Sequence, residues 1–195
     1  MLETLTPPAP DLVTMLEVLE FLGIPISEQD PALAGYISRA SATVISEIGY
    51  SPNRGVYRQS IETQHGLSAL PLARLPVASV TAVTLNGEAL DPAQYQVESE
   101  AGLLVRIAAG LSRRWEPRTL VVVEYAAGFD PLPQDIKLAT LKLVETGWAA
   151  RGRDPGLRNI GIGSISLGYF APDASAPGIA SVADLLSPYR QVRVG

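Results

Sequence analysis

The one histidine of this chain, His65, is the side chain best suited to moving a proton near neutral pH. A hydrolase built on it would need an adjacent nucleophile, yet no Gly-x-Ser-x-Gly elbow occurs and the chain has no cysteine. His65 therefore reads as a solvated or hydrogen-bonded residue near a strand end. Glu98 and Glu100 could form the carboxylate pair of a glycosidase, but they adjoin a predicted turn, Ser99 to Gly102, where acidic side chains serve solubility. The run Gly161-Ile162-Gly163-Ser164 lacks the third glycine and the strand-to-helix setting of a dinucleotide loop, and no Gly-x4-Gly-Lys-Ser/Thr phosphate loop is present. Arg113-Arg114-Trp115 joins positive charge to an aromatic ring. Such a group can stack on a base or hold an acidic partner, and the reading adopted is a strand-end contact or an intersubunit pairing. Arg151, Arg153 and Arg158 surround Asp154 in a Gly-rich loop, as a local ion network or a docking surface. Without cysteine and with one histidine, disulfide frameworks, thiolate sites and imidazole metal clusters are excluded, and no cofactor is expected.

Charge and composition narrow the classes further. A formal charge of −5 argues against a broad basic surface for gripping nucleic acid. The N-terminus lacks the basic start and long apolar run of a secretory signal, and no apolar stretch approaches a membrane span, so a soluble intracellular product with no membrane partner is expected. Charged residues are only 18% of the chain while 47% are hydrophobic, which suggests that partners cover much of the surface. A chain of 195 residues is expected to form one domain, 1–195, with a single core.

The elements that must position these residues fall into four stretches, an α+β organisation. Residues 11–50 read as a helical pair. Thr14 with Glu17 is a capping-box signature and Gly23 a stop; Asp30-Pro31 opens a second helix whose stripe is Leu33, Ile37, Ala40, Val44 and Ile48. Its opposite face, Ala34, Ser38, Ser41, Ala42 and Ser46, is small and permits close approach of another helix. Residues 55–128 switch to alternation and form an inserted antiparallel β layer, with Asn86-Gly87 as a two-residue hairpin and Leu120 to Tyr125 as a central strand ending at Gly128. Residues 133–151 form a long central helix. Its apolar residues, Ile136, Leu138, Leu141 and Trp148 among them, surround the axis, so it either lies at the centre of the fold or contacts both its own body and a neighbouring copy. Ile136, Leu138, Leu141, Trp148, Arg113 and Arg114 are thus the candidate subunit-interface residues. Residues 152–195 are loop with one alternating run, Ile160 to Phe170, followed by a face of Val182, Leu185, Leu186 and Tyr189 and an extended basic tail with Arg190 and Arg193.

The order of these parts resembles a known family. The segments that carry it are Leu12 to Leu22, Leu70 to Val83, Val123-Glu124-Tyr125-Ala126-Ala127-Gly128 and Leu186 to Val194, with the run from Pro133 to Ala139 opening the long helix. They are similar to the head-tail connector family of long-tailed phages, also called adaptor or head-completion proteins, with relatives in prophages and gene transfer agents. The likeness runs from about Asp11 to Gly195, though the long β insertion departs from the small members.

The resemblance implies a helical core, no enzymatic activity, and a place in the virion neck after synthesis in the bacterial host cytoplasm. It implies a ring of commonly twelve copies between the portal protein and a stopper or other downstream neck or tail protein, with genome DNA passing through the lumen without tight binding. By the same likeness Leu185, Leu186, Tyr189, Arg190 and Arg193 form a portal-docking tail. Three other readings are a tail terminator or stopper, which would lack the two N-terminal helices plus the later long one; a carbohydrate- or receptor-binding β module, which would expose Tyr95, Trp115 and Tyr125; and a small hydrolase using His65.

Overall fold

The computed structural model describes residues 1–151, 159–162, 165–168 and 177–190. The fold is α+β, with four helices and antiparallel sheets, and contacts divide it into two compact units: residues 1–9 with 51–131, and residues 10–50 with 132–195.

The first unit is the β layer. β1 (Leu2–Thr6), β2 (Gly55–Thr63), β4 (Val77–Leu85), β5 (Glu88–Ala89) and β9 (Thr119–Ala127) form a five-stranded sheet in the order β1-β2-β9-β4-β5. β9 lies in the middle, as its apolar run predicts. Alternation gives it an inner face, Val121, Val123, Tyr125 and Ala127, that is sealed, and an outer face that is not: Leu120 is 45% exposed. Glu124 on that outer face accepts from Arg58 on β2, and Arg58 also pairs with Glu3 on β1, a charged row across three strands. Asn86-Gly87 turns β4 into β5 with both residues at positive φ, the hairpin geometry that Asn-Gly favours. The Asn86 amide oxygen also accepts from the Leu120 N–H at 2.9 Å. Gly128 ends β9 at φ 106, where a Cβ would meet the Asn53 carbonyl oxygen at 2.5 Å, so only glycine fits.

A second, smaller sheet has β7 (Leu103–Ala108) at its centre. β6 (Tyr95–Glu98) pairs with one side of β7, while β3 (Ala69–Pro71) and β8 (Leu111–Arg113) share the other. Tyr57, Leu70, Leu72, Leu104, Trp115 and Tyr125 are among the residues that pack both sheets onto one apolar cluster. Gln59 ties them: its Oε1 accepts from the Tyr125 hydroxyl and the Ala73 N–H, and its Nε2 donates to the Pro71 carbonyl.

The second unit holds α1 (Met15–Leu22), α2 (Ala32–Ile48), α3 (Gln134–Ala149) and α4 (Pro177–Leu186), with a hairpin of β10 (Asn159–Ile162) and β11 (Ile165–Gly168). The capping box is formed: the Glu17 N–H donates to Thr14 Oγ1, and the Thr14 N–H donates to Glu17 Oε2. Asp30 caps α2 through the Ala32 N–H at 2.8 Å. Leu33, Ile37 and Ala40 of the stripe pack with Val18, Leu19 and Val144 in a cluster of their own, and Val44 is buried as well. Ser41, on the small face of α2, is buried, and its hydroxyl accepts the Leu12 N–H at 3.0 Å.

Candidate interaction surfaces

The residues with chemical potential do not converge. His65 is exposed just past the end of β2; Glu98 ends β6 and Glu100 sits in the turn before β7, as the turn signal predicts. Among the described residues no group of three or more His, Asp or Glu side chains is placed to hold a metal ion, and no helix is long and apolar enough to cross a membrane. The molecule offers surfaces, and three of them include the residues singled out by the sequence.

The first is the rim around Trp115. Two bonds hold this residue inward just past β8: it is fully buried, its Nε1 donates to the Leu104 carbonyl at 3.1 Å, and its backbone N–H donates to Leu67. The triplet therefore presents its arginines outward and its ring inward, so Trp115 is no stacking platform. Tyr125 is equally enclosed, which removes two of the three aromatics that a carbohydrate-binding module would need to expose. The loop after Trp115 is pinned by a hydroxyl network. Thr63 Oγ1 donates to the Glu116 carbonyl at 2.6 Å and lies 2.8 Å from Thr119 Oγ1, and the Arg118 N–H donates to the Thr63 carbonyl. Outside it, Glu116 is shared by Arg106 at 3.4 Å and Arg113 at 3.3 Å. Arg114 and Arg118 have no carboxylate partner among the described residues.

The second surface is α3. Ile136, Ala139, Thr140 and Val144 are buried inside their own unit, Leu141 and Trp148 are half-buried, and Leu138 is 36% exposed. Of the apolar interface candidates on this helix, Leu138 thus has the most free surface, and Ile136 has none. Trp148 meets the Tyr36 ring edge-on at 5.6 Å and lies under the Arg151 guanidinium, which sits 3.3 Å from its ring centre. Arg151 also reaches Asp30 at 4.0 Å; Arg153, Asp154 and Arg158 lie outside the described residues. Lys137 bonds Glu17 Oε1 at 2.6 Å. Partial burial would raise the Glu17 carboxyl pKa, but Lys137 and the Thr14 N–H and hydroxyl outweigh it and hold the group below its ordinary value.

The third is the C-terminal segment. α4 packs on α3 and α2, with Val182 and Leu186 buried and Leu185 half-buried. Beyond it Pro188 stops the α-helix in a single 3-10 turn, Ser187–Tyr189. The Tyr189 hydroxyl donates to Asp135 Oδ2 at 3.4 Å, and Arg190 pairs with Glu47 on α2. Burial and the nearby Asp135 carboxylate push the Tyr189 phenol up. The candidate docking residues Leu185, Leu186, Tyr189 and Arg190 are thus engaged with their own unit; Arg193 lies outside the described residues.

A family model described as "Head completion protein" matches residues 11–148, a span that includes the whole β layer from β2 to β9. The head completion protein of Escherichia phage T5 is 28% identical over 135 residues, covering 69% of this chain and 75% of that protein. Among solved structures, a chain from the neck of an empty gene transfer agent particle, computed with C6 symmetry, matches with a TM-score of 0.62 at 20% identity, covering 100% of this chain and 97% of that one. A chain from the neck of a native particle, computed with C12 symmetry, matches at 0.59 and 22% identity with the same coverage. At such identities the likeness is one of fold.

Proposed function

Because the chain belongs to the head completion protein family, we propose that it is a non-enzymatic structural subunit of a virion neck. In this reading it forms a ring of twelve copies that joins the portal of a DNA-filled head to the next neck or tail protein and leaves a channel for the genome. The family match across residues 11–148 carries the reading. The neck chains of gene transfer agent particles, solved with C6 and C12 symmetry, share the fold along its full length and favour a ring of six-fold or twelve-fold order. A net charge of −5 per copy suits a passage that must let DNA slide, since weak phosphate attraction keeps the genome from sticking. Leu138 on α3 with Arg113 and Arg114 at the β rim are the surface residues through which copies would meet, and the segment from Arg190 onward is the portal contact.

The test is removal of the chain from particles in production. The expected product is full heads without tails, and electron microscopy of restored particles should locate the subunit in a ring below the portal. Tailed, infective particles made without it would overturn the role.

A further inference from the structure

The smaller sheet of the β unit has two open edges of opposite charge. β8 borders one side of β7 and β6 the other, and among the described residues no strand pairs with the outer side of either. All three β8 residues are exposed, with Leu111 at 73%. The segment from β7 to the loop after β8 carries Arg106, Arg113, Arg114 and Arg118 against Glu116, a net of +3. Residues 91–100, which lead through β6, carry Asp91, Glu98 and Glu100 with no basic residue, a net of −3, and all three are exposed. The backbone beside the basic edge is anchored by the buried Trp115 and the Thr63–Thr119 hydroxyl network, so the strand that carries the arginines is in place before any partner arrives.

Two identical edges repel. β8 against β8 would bring two basic segments together, and β6 against β6 two acidic ones, so a two-fold dimer through either edge is disfavoured. The complementary contact is between different edges of successive copies, a head-to-tail arrangement that closes into a ring when the rotation permits. We propose that the basic β8 edge of each subunit docks on the acidic β6 edge of the next copy of this chain, covering Leu111 and the open strands, which exposed would invite aggregation. The inference rests on the ring reading and assigns it a surface.

Charge exchange tests it. The full-length R113E/R114E variant takes the β8 segment from +3 to −1, so that both edges are acidic, and the E98R/E100R variant takes residues 91–100 from −3 to +1, so that both are basic. Each is expected to remain folded by circular dichroism and to sediment as a monomer where the unaltered chain assembles. Mixed in equal amounts, the two should assemble again, because acidic and basic edges then alternate around the ring. A single Arg114→Glu change, which leaves the Arg113–Glu116 pair intact, should weaken assembly in the same direction, and added salt should weaken the unaltered chain. If both double variants assemble like the unaltered chain, or the folded variants do not reassemble on mixing, the edge contact is wrong while the ring stands. If the unaltered chain stays monomeric at every concentration and no ring of it is found in particles, the ring reading itself falls.

Discussion

Glu17 serves two structures at once: its Oε2 accepts the Thr14 N–H that closes the first turn of α1, and its Oε1 holds Lys137 on α3. Its folded pKa is below the ordinary value, so the carboxylate contributes stability that is fully present above the ordinary glutamate range and is lost as pH falls toward the lowered value. Glu17→Gln is therefore expected to flatten the acid side of the stability profile while changing less at its acid end, read from urea midpoints across a pH series. Thr14→Ala should cost about 1 kcal/mol at neutral pH in the same measurement. Trp115→Ala, which empties a fully enclosed site, should cost about 3 to 5 kcal/mol. The capping box was legible in the sequence because both partners lie within three residues. The small face that holds Ser41 was legible, but the partner of Ser41, Leu12, was not, because it is 29 residues away. Arg113-Arg114-Trp115 was legible as charge beside a ring, but which member faces inward depends on the bridge from Trp115 to Leu67, a partner remote in sequence.

At the scale of elements, β9 could be placed from its apolar run alone, whereas β1 could not: five residues alternate too briefly to signal a strand, and their partner begins at Gly55. Deleting residues 1–6 should leave the edge of β2 unpaired, and an increase in aggregation by light scattering is the expected result. For α3 the sequence showed apolar residues all round, and packing then divided them, burying Ile136 and leaving Leu138 partly out. Leu138→Glu is expected to lower the assembled fraction in sedimentation without loss of helix content; unchanged assembly would remove α3 from the contact between copies. The C-terminal face was correctly seen as apolar, yet periodicity could not tell a face awaiting a partner from one packed on its own helices. Removing residues 191–195 should leave the melting temperature unchanged and abolish tail attachment, whereas Arg190→Ala should cost at most about 1 kcal/mol, since its pair with Glu47 is solvent-exposed.

Across the whole molecule, the low share of charge and the acidic balance were readable from composition, and they yield an expectation about the genome. Assembled rings should not retain duplex DNA in a filter assay at physiological salt, and retention that falls steeply with added salt would mean that the arginines of the β rim face the channel. His65→Ala should leave particle assembly and infectivity unaltered, because His65 is exposed and belongs to no described network. The β layer was readable as an insertion between helical stretches, but that residues 1–9 belong to its unit was not, since it depends on pairings such as Leu2 with Gln59. Each unit is assembled from two separate parts of the chain, which bears on birth at the ribosome. The first strand emerges long before β2, and α1 and α2 long before α3, so neither unit can close until the chain is two-thirds made. For a nascent protein with an open, apolar helix pair, that delay is the interval in which a chaperone, or a neighbouring copy on the same message, has its opportunity to bind.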